Sequence, residues 1–326
     1  MSKAAASANI ALVKYWGKRE AGLNLPGAGS LSLTLDALRT ETEVKLVSGP
    51  EDQLVLDGIS VRGSALARTA EFLDELRRRT GRTERARVVS HNHFPSSAGL
   101  ASSASGFAAL AVAGAHAFGL DADEDQLSEL ARLGSGSAAR SIYGGFVRMH
   151  AGVRADGKDA IARPFLGSKL ELWAAIMVVR AGEKETSSRD GMEATKVSSP
   201  YHEAWLTQVG RDLELAERAL TSGDFELLAE VTEGSCLAMH ANAMAARPGI
   251  IYFSPVTLWG IDRVRRLRKT GTPVMFTVDA GPHLVAFTTR EHLPSVAQAL
   301  SEHPEVERVL SSGPGAAAHL VSSEAP

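Results

Sequence analysis

Four short stretches of this chain carry residue types and spacings suited to handling anions and protons. The first is residues 91 to 110, His-Asn-His-Phe-Pro-Ser-Ser-Ala-Gly-Leu-Ala-Ser-Ser-Ala-Ser-Gly-Phe-Ala-Ala-Leu. A strand-like run (Arg87-Val88-Val89-Ser90) enters it and an Ala-rich helical pattern leaves it at about Ala101. Small residues at Ser96, Ser97, Ala98 and Gly99 let a backbone approach a ligand closely. The unpaired amides of a first helical turn then face an anion at the positive end of the helix dipole. Ser102, Ser103 and Ser105 add hydroxyls able to bond phosphate oxygens or a Mg²⁺ ion. The loop is neither a Walker A motif nor a dinucleotide fingerprint, because Gly-Lys-Ser/Thr and Gly-x-Gly-x-x-Gly are both missing. Taken alone, the run fits equally a small-residue helix packed tightly on a sheet.

The second stretch, Gly134-Ser-Gly-Ser-Ala-Ala-Arg140-Ser-Ile-Tyr-Gly-Gly145, reads as a polar, flexible segment. Its two serines and the arginine a turn later can close around a carboxylate or phosphate. The third is Asp279, which ends the apolar run Val274-Met-Phe-Thr-Val and is followed at once by Ala-Gly-Pro. A carboxylate at the mouth of a buried strand can be aimed at a substrate as a base; the alternative is a turn aspartate bonding the next amides. The fourth, residues 8 to 18, is Ala-Asn-Ile-Ala-Leu-Val-Lys-Tyr-Trp-Gly-Lys. It reads as a short buried strand ending in an aromatic pair between two lysines, which suits an anionic ligand or, more simply, a strand end with snorkelling lysines. His91 and His93, at a strand end, read as hydrogen-bonding residues without a catalytic role.

The elements that must position these groups follow from periodicity. Strict alternation marks a strand at Ser30 to Asp36, with further alternating runs at Glu41 to Val47 and Gln53 to Val61, a mostly antiparallel sheet. Residues 64 to 80 pattern as a helix with Ser64 as N-cap and Gly81 past its end. A short helix is expected at Glu124 to Leu133. Beyond about residue 165 come a strand at Glu171 to Val179, a polar loop at 182 to 191, and helices near 201 to 221, 224 to 246 and 255 to 269. Two strands (Val274 to Asp279, Leu284 to Thr288), a helix after Arg290 and a strand near Val306 to Leu310 complete an α+β second half. The expected division is 1–165 and 166–326.

Composition sets outer bounds. With 326 residues, 44% hydrophobic and 22% charged, the chain can bury a large core, and a net charge of −3 argues against a general nucleic-acid binder. The basic run Arg263, Arg265, Arg266, Arg268, Lys269 reads as a solvated helix face. One cysteine, Cys236, in an apolar helical pattern excludes an internal disulfide framework and a cysteine-based zinc cluster. No run of 18 apolar residues is present, and Lys14 interrupts the N-terminal apolar stretch, so a cytoplasmic protein with no membrane partner is expected.

The order and spacing of these clusters resemble the GHMP kinase superfamily, and within it the diphosphomevalonate decarboxylases. The resemblance rests on residues 8 to 18, Ser-Leu-Ser-Leu-Thr-Leu at 30 to 35, the loop at 94 to 106, the block at 134 to 147, Ser-Ser-Arg-Asp-Gly-Met at 187 to 192 and Phe-Thr-Val-Asp-Ala-Gly-Pro at 276 to 282. It implies an N-terminal half like ribosomal protein S5 domain 2, a ferredoxin-like C-terminal half, and a cleft between them. It implies ATP and Mg²⁺, phosphorylation of the 3-hydroxyl of mevalonate 5-diphosphate, and loss of phosphate and CO₂ to give isopentenyl diphosphate. Carried over residue by residue, Asp279 meets the hydroxyl, Arg140 grips the carboxylate, and Lys18 joins them as catalytic. Asn9, Tyr15, Ser137, Ser188 and Arg189 surround the substrate. Ser96, Ala98, Gly99, Leu100, Ala101, Ser102, Ser103 and Ser105 hold ATP, with Ser103 on the metal. The polar loop 182 to 191 is expected to act as a lid, and a homodimer is the family expectation. A monophosphate decarboxylase, or a mevalonate 3-kinase that stops before CO₂ loss, uses the same reacting end. A non-catalytic binding protein would have no physical need for the charged set.

Overall fold

The computed structural model describes residues 1–94, 101–180 and 185–321. Its N-terminal strand β1 (Ser2–Val13) is buried at every position but one, which fits the Ala-rich run. After it, β2 (Lys18–Glu20) and β3 (Leu25–Pro26) form a small ribbon. The two alternating runs expected at 30 to 47 are one long strand, β4 (Ser30–Val47), antiparallel to β1 over its length. Their register slips between Ser7 and Asn9 and again between Ala11 and Val13. Such bulges re-aim side chains, and both flank residues that line the cleft described below.

The hairpin β5 (Gln53–Leu56) and β6 (Ile59–Val61) precedes helix α1 (Ser64–Thr80) and strand β7 (Arg85–Asn92). Helix α1 has the expected limits, but Gly63 stands at its N-cap and Ser64 is its first residue; Gly81 ends it in the left-handed conformation. Helices α2 (Ser102–Phe118) and α3 (Glu124–Gly134) follow, then a 3-10 segment, Gly136–Ile142. The strands β8 (Phe146–Met149) and β9 (Ala162–Pro164) extend the sheet from the first half of β4. Among the described residues only β5 and β7 pair in parallel within this sheet.

In the second half, β10 (Trp173–Val179) leads to α4 (Ser188–Ser198), α5 (His202–Ser222), α6 (Phe225–Met244) and α7 (Pro255–Lys269). The strands β11 (Val274–Val278) and β12 (Leu284–Thr288), helix α8 (Leu293–Leu300) and strand β13 (Val306–Ser312) complete an antiparallel sheet ordered β11-β12-β10-β13. The last strand, β14 (His319–Leu320), returns to pair with β1 in the first sheet.

Three apolar clusters hold these layers. Phe72, Leu76, Ala108 and Leu130 of the first three helices pack on Ala4, Val44 and Val88. On the far side of the second sheet, Val256, Ile261 and Val296 cover Met177, Phe276 and Leu284. Between the halves, Ile10, Leu12, Leu31 and Leu33 join Val209, Met239, Val285 and Phe287 in one apolar cluster. Helix α2 is a small-residue helix packed on β1 and β4 and tightly against α1: a Cβ at Gly114 would fall 2.7 Å from Leu76 of α1.

Candidate active site

A cleft of about 710 Å³ opens where the end of β1, the start of α2, the 3-10 segment, the start of α4 and the residue after β11 converge. Each element delivers its side chain for a local reason. The chain leaves β1 at Lys14, whose side chain is 1% exposed and whose ammonium forms an ion pair with Asp279. A buried ammonium is tolerated only when paired, and Asp279, about a third exposed at 32%, keeps its carboxylate at the cleft wall. Asp279 is therefore no ordinary turn aspartate: its side chain turns to Lys14 and only its carbonyl serves the turn, accepting from the Gly281 amide at 2.8 Å.

Arg140 lies in the 3-10 segment, which is ordered and buried rather than flexible; a local i→i+3 turn closes Ala138 N to Ser135 O at 2.8 Å. Its Nε donates to Asn9 Oδ1 (2.9 Å) and its Nη1 to Ser30 Oγ (2.6 Å). Asn9 in turn donates to the Ser137 carbonyl (3.0 Å) and to Ser141 Oγ (2.8 Å). Two of the five guanidinium N–H donors are thus committed to holding the arginine, and a carboxylate has to be taken by those left over. Burial brings the Arg140 pKa down to about 10, partly offset by the charges of Asp279 and Tyr15. The guanidinium carbon stands 5.8 Å from the Tyr15 ring. Tyr15 itself carries a buried hydroxyl with no partner among the described residues, and burial pushes its pKa up to about 12. An orphaned hydroxyl in a cationic cleft is a donor awaiting an anion.

Lys18 lines the same cleft but does not reach Asp279. Its Nζ donates to Asn24 Oδ1 at 2.5 Å, and Asn24 is held by the carbonyls of Arg132 and Leu133 at the end of α3. Burial, then the charges of Arg189 and Arg68, lower the Lys18 pKa to about 8. Ser188 and Arg189 occupy the first turn of α4, a helix where a loop was expected through residue 191. Ser187 caps it, accepting from the Asp190 amide at 3.1 Å.

Of the residues expected on the nucleotide, Ser96, Ala98, Gly99 and Leu100 lie outside the described residues, as do 182–184 of the expected lid. Ala101, Ser102 and Ser103 line the cleft, with Ala101 at φ 53° just before α2. Ser103 Oγ stands 3.4 Å from Ser135 Oγ, which is 3.3 Å from Ser137 Oγ, a chain of hydroxyls across the cleft. Ser105 is fully buried and bonds Thr40 Oγ1 at 2.6 Å, because one turn into α2 its side chain faces the sheet and not the cleft. Behind Ser102 and Ser103 a second cavity of about 190 Å³ is lined by Leu54, Leu56, Val88 and Phe107.

Sequence reasoning passed over two cations of the cleft, Lys14 and Arg68. Lys14 carried a signal, since it ends an apolar strand inside the lysine-flanked block, but its burial depends on a carboxylate 265 positions away. Arg68 of α1 lines both cavities and stacks on Phe107 at 5.1 Å; nothing local distinguishes it from a surface helix arginine. Among the described residues no group of three or more His, Cys, Asp or Glu side chains could hold a metal unaided.

Family models for a diphosphomevalonate decarboxylase-like N-terminal domain and a mevalonate 5-diphosphate decarboxylase C-terminal domain match residues 6–162 and 174–316. The chain is 38% identical over 316 residues to a diphosphomevalonate decarboxylase of Eremothecium gossypii, covering 88% of this chain and 77% of that one. It is 39% identical over 305 residues to the Homo sapiens enzyme, covering 87% and 75%. Among solved structures, a complex of MDDEF with MVAPP, AMPPCP and magnesium superposes with a TM-score of 0.93 at 40% identity, covering 99% of each chain. Mevalonate diphosphate decarboxylase from Staphylococcus aureus superposes with a TM-score of 0.93 at 34% identity, covering 98% of each.

Proposed function

The chain belongs to the diphosphomevalonate decarboxylase family, and we infer that its cleft turns mevalonate 5-diphosphate and ATP into isopentenyl diphosphate, ADP, phosphate and CO₂. The observation that carries the assignment of roles is the Lys14–Asp279 pair, which shares one cleft with Arg140 and the start of α2. A tertiary alcohol is a weak, hindered nucleophile, so a carboxylate has to orient it or take its proton as the γ-phosphoryl group arrives. Asp279 fills that role, and its ion pair with Lys14 fixes the direction of the carboxylate. Loss of phosphate from C3 leaves a carbocation-like centre, and departure of CO₂ supplies the electron pair that forms the double bond. Arg140, through the N–H groups not bound to Asn9 and Ser30, holds the carboxylate until that step.

The other end of the substrate falls to Tyr15, Lys18, Ser188 and Arg189, whose positive charge and unspent donors suit a diphosphate. ATP phosphates lie against the start of α2, and the apolar cavity behind Ser102 and Ser103 has the size and character for its base. In this reading the Ser103 hydroxyl would hold Mg²⁺, which would supply charge to offset that of the nucleotide phosphates. That fits a chain whose described residues form no acidic metal cage, since Mg²⁺ is commonly held by phosphates, waters and one or two protein oxygens. No helix among the described residues is long and apolar enough to cross a membrane; a cytoplasmic homodimer is part of the proposal.

The test is to supply ATP, Mg²⁺ and either mevalonate 5-diphosphate or its monophosphate and to record ADP and CO₂ separately. Stoichiometric ADP and CO₂ from the diphosphate are expected. ADP without CO₂ would make the protein a kinase, and preference for the monophosphate would reassign the diphosphate-end residues.

A further inference from the structure

Strand β11 is the outer strand of its sheet, so alternate residues turn their backbone groups away from β12 with no strand among the described residues to receive them. Side chains of two helices take the place of a fifth strand. Arg268 donates to the Val274 carbonyl at 3.3 Å, and the Phe276 amide donates to Glu233 Oε1 at 3.2 Å. The Val278 amide donates to Cys236 Sγ at 3.2 Å. The Val278 carbonyl receives the Cys236 thiol at 3.5 Å and lies 3.1 Å from His240 Nε2. A carbonyl only accepts, so His240 carries its proton on Nε2 in this contact. Burial lowers its pKa to about 4, which the Val278 contact opposes and the charge of Lys14 reinforces, and the imidazole is neutral.

Glu233, Cys236 and His240 stand at i, i+3 and i+7 on one face of α6. The peptide held most firmly, Val278, is the residue before Asp279. Ser235, about 100° round the helix from Cys236, accepts from the backbone amide of Lys14 at 3.0 Å. Adjacent residues of one helix thus grip the two chain segments that bring the ammonium and the carboxylate together. Ser235, Cys236 and His240 are themselves buried and contribute no group to the cleft lining.

We propose that Ser235, Cys236 and His240 are positioning residues for the decarboxylase reaction, setting the Lys14–Asp279 pair through the backbones of Lys14 and Val278. The proposal rests on the reading of that pair as the groups that meet the reacting hydroxyl. If α6 only satisfied an edge strand, its loss would lower Tm and leave turnover per folded molecule alone. Positioning predicts a different pattern, because a shift of about 1 Å in a reacting group costs on the order of 100-fold in rate.

His240→Phe preserves the ring packed on Phe253 (centroids 4.1 Å apart) and removes the donor. It is expected to lower kcat about 10- to 100-fold with both KM values within about twofold, since the binding groups are untouched. His240→Gln, which retains an N–H, should recover most of the loss. In an Asp279→Asn background, single-turnover ADP formation should fall by less than about twofold more on adding His240→Phe, because the group being positioned is already disabled. Ser235→Ala should behave likewise through Lys14, its effect vanishing when Lys14 is Met, and it decides the matter if His240→Phe does not fold. Unchanged kcat in these variants, or a full additional loss in the disabled backgrounds, overturns the proposal. An Asp279→Asn enzyme with normal kcat would instead remove the underlying reading of the site.

Discussion

Asp279 and Lys18 do different work at the residue scale, and two measurements separate them. Asp279→Ala removes the base, so kcat should fall by about 10²- to 10⁴-fold while equilibrium binding of a non-hydrolysable ATP analogue persists. Loss of nucleotide binding in that variant would show that the carboxylate serves the nucleotide as well. Lys18, with its pKa lowered to about 8, is a cation below that pH and neutral above it. kcat/KM reports the free enzyme, so it should decline as pH rises through about 8, and Lys18→Met should lack that limb. Stability runs the other way for this group. Its folded pKa lies below the unfolded one, the unfolded chain binds more protons between them, and folding is favoured as pH rises through that window. A drop in kcat/KM with no drop in Tm is therefore the signature. Asp279 and Arg140 could be read from motifs because both stand beside turn residues in fixed spacing. Lys14 could not be singled out, since what separates it from Lys18 is a partner supplied by the other half of the chain.

Helix α4 fully buries only Gly191 and Thr195, and its first turn carries Ser188 and Arg189. Ser187 both accepts from the Asp190 amide and donates to Asp190 Oδ2 at 2.6 Å. Removing such a cap costs about 1 kcal/mol, so Ser187→Ala should fray that turn. KM for mevalonate 5-diphosphate should rise about fivefold, with kcat nearly unchanged and the KM for ATP less affected. Ser187→Asn, which can still cap, should restore it; an equal defect in both variants would mean the serine touches the substrate directly. Most helix limits were readable because apolar periodicity and glycine stops are local: α1, α5, α6 and α7 fall within a few residues of expectation. Helix α4 and the 3-10 segment were not, because a short polar helix has no long apolar stripe. The glycines at 134 and 136 read as flexibility when their role is close contact with Phe107 and Tyr15.

At the scale of the whole molecule, the α+β layering followed from strand and helix alternation, but the path of the C-terminus did not. After β13 the chain crosses back to the first sheet. The Gly315 amide donates to the Thr34 carbonyl (2.7 Å), the Gly145 amide to the Gly315 carbonyl (3.1 Å) and the Ala318 amide to the Ile142 carbonyl (3.0 Å). β14 then pairs with β1 at Ala4 and Ala5. These are backbone contacts between Gly- and Ala-rich stretches, Gly144 lying so close to Gly315 and Ala317 that a Cβ would collide. No hydrophobic pattern announces them. Their consequence is that the end of the 3-10 segment bearing Arg140 is pinned by Gly315 and Ala318, while the cluster around Ile10, Leu31, Met239 and Phe287 already joins the halves. Melting followed by circular dichroism and by residual activity should therefore give one coincident transition. A chain ended at Ser312 should still fold its second sheet, yet lose activity and the thermal shift given by mevalonate 5-diphosphate, which at 100 times its Kd is about 2.7 kcal/mol. If the shortened chain binds and turns over substrate normally, the tail is a passive strand, and Arg140 is held by Asn9 and Ser30 alone.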